Sequence, residues 1–308
     1  MNIPATIPPP PPTERFDAIV VGGSYAGLSA ALQLARARRR VLVVDAGRRR
    51  NRFAGNSHGF LGRDGQPAAA IAEAGRADVA AYPNVAWHAG AALDARQDAD
   101  GFLVELEGGG RAHGRRLVLA TGVRDELPPI AGLAERWGRS VFHCPYCHGY
   151  ELDGGEIGIL ASGELAFHQA MLLPDWGRVT LFTNGRFAPD AEQRTAMARR
   201  GVAVIEDTPV ARIEDAATVV LLDGRRLPMA GLFTYGRTGM ASPLAERLGC
   251  AFDDGPLGRF IRTDERKQTT VPGVYAGGDA ARAAGTVAIA VADGAMAGAG
   301  AHQSLVFG

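Results

Sequence analysis

The sequence predicts an α/β fold built from two doubly wound units, and three observations carry this. Residues 16–45 read as strand, glycine turn, helix, strand, and a closing acid. Residues 156–183 repeat that succession in weaker form. Between the two lies His143-Cys144-Pro145-Tyr146-Cys147-His148-Gly149-Tyr150-Glu151, which holds two of the three cysteines at C-x-x-C spacing. Strands alternating with helical patterns are the mark of βαβ units and parallel sheets.

The first unit opens on Phe16-Asp17-Ala18-Ile19-Val20-Val21, an apolar run of the length of a buried strand. It leads into Gly22-Gly23-Ser24-Tyr25-Ala26-Gly27. Leu28, Ala31, Leu32 and Ala35 then follow helical spacing, and Arg36, Arg38, Arg39 and Arg40 crowd the end where the macrodipole favours cations. Val41–Val44 is a second strand, and Asp45 ends it. This is the context a dinucleotide fingerprint requires: glycines let the backbone approach a pyrophosphate at the helix N-terminus, and an acid about 20 residues on can hold ribose hydroxyls. Ser24 stands where the second fingerprint glycine is expected.

Asn51 to Gly65 reads as a loop, with Asn51 and His58 as candidates for the cofactor or substrate side. A surface-loop histidine is the plainer account of His58. A helix is expected from Pro67 to about Ala81, then strands near Val85–Trp87 and Phe102–Leu106, with Gly108-Gly109-Gly110 as a hairpin turn. Arg116–Leu119 reads as a strand ending in the small-residue turn Ala120-Thr121-Gly122. Leu127-Pro128-Pro129-Ile130 punctuates the chain.

In the second unit Glu156–Leu160 leads into Ala161-Ser162-Gly163, and Val179–Thr183 follows. Ala161 occupies the first glycine position, Thr183-Asn184-Gly185 offers no ribose-binding acid, and Arg186 is the nearby cation. NADP(H) is therefore only weakly supported as a second cofactor. Strands are expected near Val202–Ile205, Thr218–Leu222 and Leu232–Tyr235, with a return at Gly255-Pro256. Val274-Tyr275-Ala276-Gly277-Gly278-Asp279 reads as a strand stopping at an acid. A Gly/Ala-rich helix from about Thr286 to Ser304 can approach a cofactor or another backbone closely.

The bulk numbers narrow the function class. The chain has 308 residues, 46% hydrophobic and 21% charged, with zero net charge. No basic patch is implied, so neither nucleic acid nor an anionic membrane is an expected partner. Residues 1–14 read as a disordered proline-rich tail rather than a signal peptide. Three cysteines are too few for a secreted disulfide scaffold, so a cytoplasmic location is expected. A C-x-x-C followed by histidine has three readings: redox dithiol, half of a zinc site, or haem attachment. Haem attachment needs export, and structural zinc needs four ligands that the sequence does not space correctly. Cys250 reads as a buried inert thiol.

Taken in order, the Gly22–Gly27 turn, Ala120-Thr121-Gly122, the C-x-x-C and Val274–Asp279 resemble the low-molecular-weight thioredoxin reductases, FAD-dependent pyridine-nucleotide–disulfide oxidoreductases, from Phe16 onward. The resemblance implies two Rossmann-like three-layer domains, the second inserted into the first: an FAD domain over 15–128 and 255–308, and a C-x-x-C domain over 129–254. It implies FAD held by Gly22, Ser24, Tyr25, Ala26, Gly27, Asp45, Ala120, Thr121, Gly122, Gly278, Asp279, Val287 and Ala288. It implies Cys147 facing the flavin, Cys144 exchanging with substrate, and a homodimer. In the reductases an aspartate follows the second cysteine; here it is His148. The motif Cys144–Glu151 is more similar to the thioredoxin-reductase-like dithiol oxidases, which close disulfides in small dithiols and pass electrons to oxygen. His148 would then serve either as imidazolium beside a thiolate or as imidazole taking its proton. The expected partner is a small-molecule dithiol or a thioredoxin-like protein. The alternatives are an NADPH-dependent thioredoxin reductase and a non-catalytic flavin sensor with a dithiol switch.

Overall fold

The computed structural model describes residues 13–308. The expected proline-rich tail falls outside the described residues up to Pro12, and Glu14 already opens the first strand. The fold is α/β with two Rossmann-like units, the second inserted into the first.

The first sheet runs in the order Val85–Ala89, Val41–Asp45, Glu14–Val21, Arg111–Leu119, Phe102–Leu106, Ala92–Gln97. Glu14–Val21 pairs in parallel with Val41–Asp45 on one side and Arg111–Leu119 on the other. From Phe16 onward it is buried on both faces, which is why that part reads as an apolar run. The long strand Arg111–Leu119 takes two partners along one edge. Phe102–Leu106 pairs antiparallel with its first half, and Val274–Ala276 pairs in parallel with its second. Gly108 and Gly109, both at positive φ, make the hairpin turn.

On one face of this sheet lie the helices Tyr25–Arg36, Ala68–Ala80 and Val287–Phe307. The glycines of the last serve another backbone: a Cβ on Gly294 would stand 2.0 Å from Ala26 O, and one on Gly298 2.5 Å from Ala30 O. The opposite face is closed by the Ala92–Leu106 hairpin together with Leu244, Ala245, Cys250 and Ile261.

The second sheet is parallel throughout, in the order Val141–Phe142, Gly231–Phe233, Glu156–Leu160, Arg178–Phe182, Ala203–Ile205. Helices Leu165–Leu172 and Ala191–Arg199 cover one face. A three-stranded antiparallel layer of Val210–Glu214, Thr218–Leu221 and Arg226–Pro228 covers the other.

Val123–Glu126 leaves the first unit and Arg237–Met240 re-enters it, and the two pair antiparallel. The chain therefore rejoins the first core earlier than the expected return at residue 255, because Leu244 and Ala245 already pack with Phe16 and Ile19. Gly255-Pro256 is instead the turn of the Phe252–Asp254/Arg259–Ile261 hairpin. Among the described residues, no helix is long and apolar enough to cross a membrane.

Candidate active site

Cys144 and Cys147 form a disulfide with their Cα atoms 5.3 Å apart. They sit on one helical turn, Pro145–His148, with Cys144 as the extended N-cap and Pro145 at the first position. Proline suits that place because its missing N–H would have no partner there anyway. Gly149 closes the turn where nothing larger fits: its Cβ would meet Pro145 O and the Trp176 ring at 2.8 Å.

The His148 ring lies flat on Phe142, with centroids 4.2 Å apart and planes 17° from parallel. Burial, then the neighbouring His143 and His58, push its pKa down to about 4. At neutral pH the disulfide form therefore carries a neutral imidazole, the second of the two roles left open by the sequence. His143 stacks on Trp137 and is likewise lowered to about 4, by burial first and then by the charge of Arg50. Tyr146 is 71% exposed and meets the Trp176 ring edge-on. Cys250 is buried; burial pushes its thiol up, and its Sγ sits 3.5 Å from Thr269 Oγ1. That is an inert environment for a thiol.

A cleft of about 600 Å³ opens beside His148. Phe53 and His58 come to it from the 51–65 loop; Arg139, Phe142 and Glu151 come from the inserted unit. His58 Nδ1 stands 3.2 Å from Glu151 Oε1 and 3.8 Å from Asp64 Oδ1. Gly138, at positive φ, lets Phe53 approach: a Cβ there would be 3.0 Å from the Phe53 Cβ.

Of the expected cofactor residues, Ser24–Gly27 and Val287–Ala288 start two helices, Asp45 ends a strand, Ala120–Gly122 follow another, and Gly278 and Asp279 lie in the turn after Val274–Ala276. Gly22 has φ +105°, and a Cβ on it would lie 2.2 Å from Ala120 O. A Cβ on Gly27 would lie 1.7 Å from Gly22 O. Sequence reasoning passed over Gly23, whose Cβ would strike Asp45 at 2.7 Å and Trp87 at 2.6 Å. Ser24 is the N-cap of the helix that begins with Tyr25 and Ala26. Gly122 and Gly278 are both at positive φ. Thr286 Oγ1 accepts from Ile289 N, so Val287 and Ala288 form the first turn of the last helix. Asn51 Nδ2 donates to the Tyr25 hydroxyl, which donates to Ala68 O. Asn51 Oδ1 is buried with no partner among the described residues.

These features fit a dinucleotide such as FAD. The glycines let the turn pack tightly against Ala120 and Asp45, a helix N-terminus is offered, and one buried acceptor waits for a donor.

Arg50 was not singled out by sequence, although the run Arg48-Arg49-Arg50, separated from Asp45 by two residues, was a signal. Its guanidinium holds Asp125 through two hydrogen bonds of 3.0 and 2.5 Å, and Asp279 through one of 2.8 Å. Burial opposes its charge, but the hydrogen bond to Asp125 and the charge of Asp279 outweigh that and raise its pKa. It ties the 51–65 loop to the outgoing strand and to the Gly277–Asp279 turn.

A second cavity of about 490 Å³ covers the second turn, lined by Ala161, Ser162, Gly163, Glu164, Arg186 and Arg237 among others. Asn184 Oδ1 is committed to Val210 N. Arg237 reaches this cavity from the re-entering strand, a cation that local sequence context could not reveal.

The model of the pyridine nucleotide-disulphide oxidoreductases matches residues 16–296. Thioredoxin reductase tcpT of Claviceps purpurea is 34% identical over 307 residues, covering 94% of each chain. The crystal structure of an oxidoreductase from Agrobacterium tumefaciens is 55% identical, with a TM-score of 0.92, covering 95% of this chain and 99% of that one. The crystal structure of HlmI is 38% identical, with a TM-score of 0.87, covering 94% and 92%.

Proposed function

This chain belongs to the pyridine nucleotide-disulphide oxidoreductase family, and from that premise we propose that it oxidises a small dithiol, with oxygen as the terminal acceptor. It is an FAD-dependent oxidoreductase acting on sulfur groups. The observation that carries the finer reading is the second turn, where buried Ala161 replaces the first glycine and Asn184 is bound to Val210 N, while a 600 Å³ cleft opens beside the neutral His148.

In the proposed reaction a substrate thiolate attacks Cys144 Sγ, the Cys144–Cys147 bond breaks, and Cys147 leaves as a thiolate. The second substrate thiol loses its proton and attacks the substrate sulfur bonded to Cys144. A substrate disulfide forms, and Cys144 departs with its electron pair. His148 takes a proton at each demand and then holds one beside the Cys147 thiolate, whose charge favours imidazolium. FAD, held by the Gly22–Gly27 turn, Asp45, Asn51, Ala120–Gly122, Gly278–Asp279, Val287 and Ala288, supplies the two-electron acceptor for the resulting dithiol. The assembly in this reading is a homodimer located in the cytoplasm, and light scattering on the purified protein tests the dimer.

A second reading is reduction of a thioredoxin-like protein by NADPH. It is supported by the name of the Claviceps relative and by Arg186 and Arg237 at the second cavity. Anaerobic mixing separates the two. Flavin absorbance bleached within seconds by dithiothreitol but not by NADPH, with catalytic oxygen uptake on readmitting air, is the expected result. Rapid bleaching by NADPH would give the second reading instead. Cys144→Ser and Cys147→Ser each abolish turnover under either.

A further inference from the structure

Building on the dithiol-oxidising reading, we propose that His58, braced by Glu151, carries the substrate proton from the cleft to solvent. Oxidation of one dithiol sheds two thiol protons. The electron pair goes into the Cys144–Cys147 bond, and one proton stays with His148 beside the Cys147 thiolate. The other can neutralise the Cys144 thiolate, but the two electrons would pass on to FAD with only one proton, so one proton then has to leave the cleft.

His58 stands where such a proton would exit. It lines the same cleft as His148, yet it comes from the 51–65 loop of the other unit. Its side chain is 19% exposed, while the carboxylates next to it, Glu151 and Asp64, are 40% and 70% exposed. The ring thus stands between the cleft it shares with His148 and the solvent-exposed carboxylates. Glu151 Oε1 lies 3.2 Å and Asp64 Oδ1 3.8 Å from Nδ1, so the carboxylates lie on the Nδ1 side of the ring. A proton gained by the ring is balanced by these carboxylates. The groups facing His58 are Asp64 from its own loop and Glu151 and His148 from the inserted unit, with Arg139 also on the cleft wall. A charge on His58 lowers the affinity of His148 for a proton, so the two rings disfavour simultaneous charging. A proton on one thereby promotes release from the other.

The test is stopped-flow reduction of the FAD-loaded protein by dithiothreitol under anaerobic conditions. His58→Ala should slow flavin bleaching at least about tenfold, within the range of a lost general base. Imidazole added to the buffer should restore most of that rate, a response that a merely structural loop residue would not give. Glu151→Gln should slow bleaching about threefold without rescue. His58→Gln, which keeps a polar side chain in the loop, gives the same reading if the alanine variant sheds FAD. Bleaching within twofold of wild type in His58→Ala, or a loss that imidazole does not restore, overturns the assignment of His58 alone. If dithiothreitol leaves the wild-type flavin oxidised, the dithiol-oxidising reading itself fails.

Discussion

Opening the Cys144–Cys147 bond should load a proton onto His148. The cleanest perturbation is Cys144→Ser, which frees Cys147 without adding electrons to the flavin. In the disulfide form His148 sits at about 4, chiefly because burial penalises the imidazolium. A freed Cys147 in a C-x-x-C turn is prone to ionise. A thiolate at roughly 6 Å and an effective dielectric of about 20 attracts a cation by about 3 kcal/mol. At about 1.4 kcal/mol per pH unit, this raises the imidazole by about two pH units, with thiolate and imidazole titrating as a coupled pair. The assay is a titration of histidine ring resonances by NMR on the FAD-loaded protein, wild type against Cys144→Ser. Of seven histidines, the His148 signal is identified by its loss in His148→Asn. The midpoint should stand near 4 in wild type and well above 5 in Cys144→Ser. Equal midpoints in the two proteins, or a charged His148 at neutral pH in wild type, would refute the reasoning.

Two further outcomes follow from the same geometry. Gly27→Ala should purify without flavin, because its Cβ would meet the Gly22 carbonyl oxygen at 1.7 Å and no side chain can swing away to relieve it. Gly163→Ala, on the corresponding turn of the second unit, has open space around its Cβ and should keep FAD, as flavin absorbance per protein will show. Acid should destabilise the fold between pH 6.5 and 4. There the unfolded chain protonates His143 and His148 while the folded chain, with both near 4, does not, so stability falls as pH drops through this window. For His148 the full shift corresponds to about 3 kcal/mol, and solvent screening of a partly exposed ring reduces this to about 1–2 kcal/mol. Urea midpoints at pH 7 and 4.5 should drop less in His148→Asn than in wild type; identical drops would refute this.

What could be read from sequence was whatever a residue announces to its near neighbours. Phe16–Val21 is apolar at every position but one, and Gly22, Gly27 and Asp45 follow at fixed distances, so the first βαβ unit is stated locally. Ala92–Gln97 was missed because Ala-Leu-Asp-Ala-Arg-Gln has no β-branched residue and buries only Ala95 fully; it is a strand by pairing with Phe102–Leu106. Ala191–Arg199 was missed because it buries only Met197, although Asp190 and Gln193 spell a capping box that the structure forms. The site followed the same division. The dithiol and the glycine turns were legible. Arg50 was not, since its partners lie 75 and 229 residues away. Nor was the meeting of His58 with Glu151, which requires both units to be in place.

The direction of electron flow turns on the electron source more than on His148. A base that is neutral beside the disulfide and charged beside the thiolate serves either direction, because thiol–disulfide exchange is reversible and about 30 mV shifts the equilibrium tenfold. A reductase must seat a hydride donor on the second turn. There Ala161 is fully buried in place of the first glycine, the Asn184 side chain is bound to Val210 N, and Glu164 puts a carboxylate at the helix start where a phosphate would be repelled. Arg186 and Arg237 are what remain to attract it. A dithiol oxidase needs nothing from that turn. What it needs is room for a small molecule near the dithiol, and the cleft at His148, next in the chain to Cys147, has 600 Å³, within the 300–1,000 Å³ typical of small-molecule sites. A folded thioredoxin-like partner would instead bear on the outward Tyr146 and Tyr150, and mutating those two should leave a small dithiol's rate intact while slowing a protein substrate.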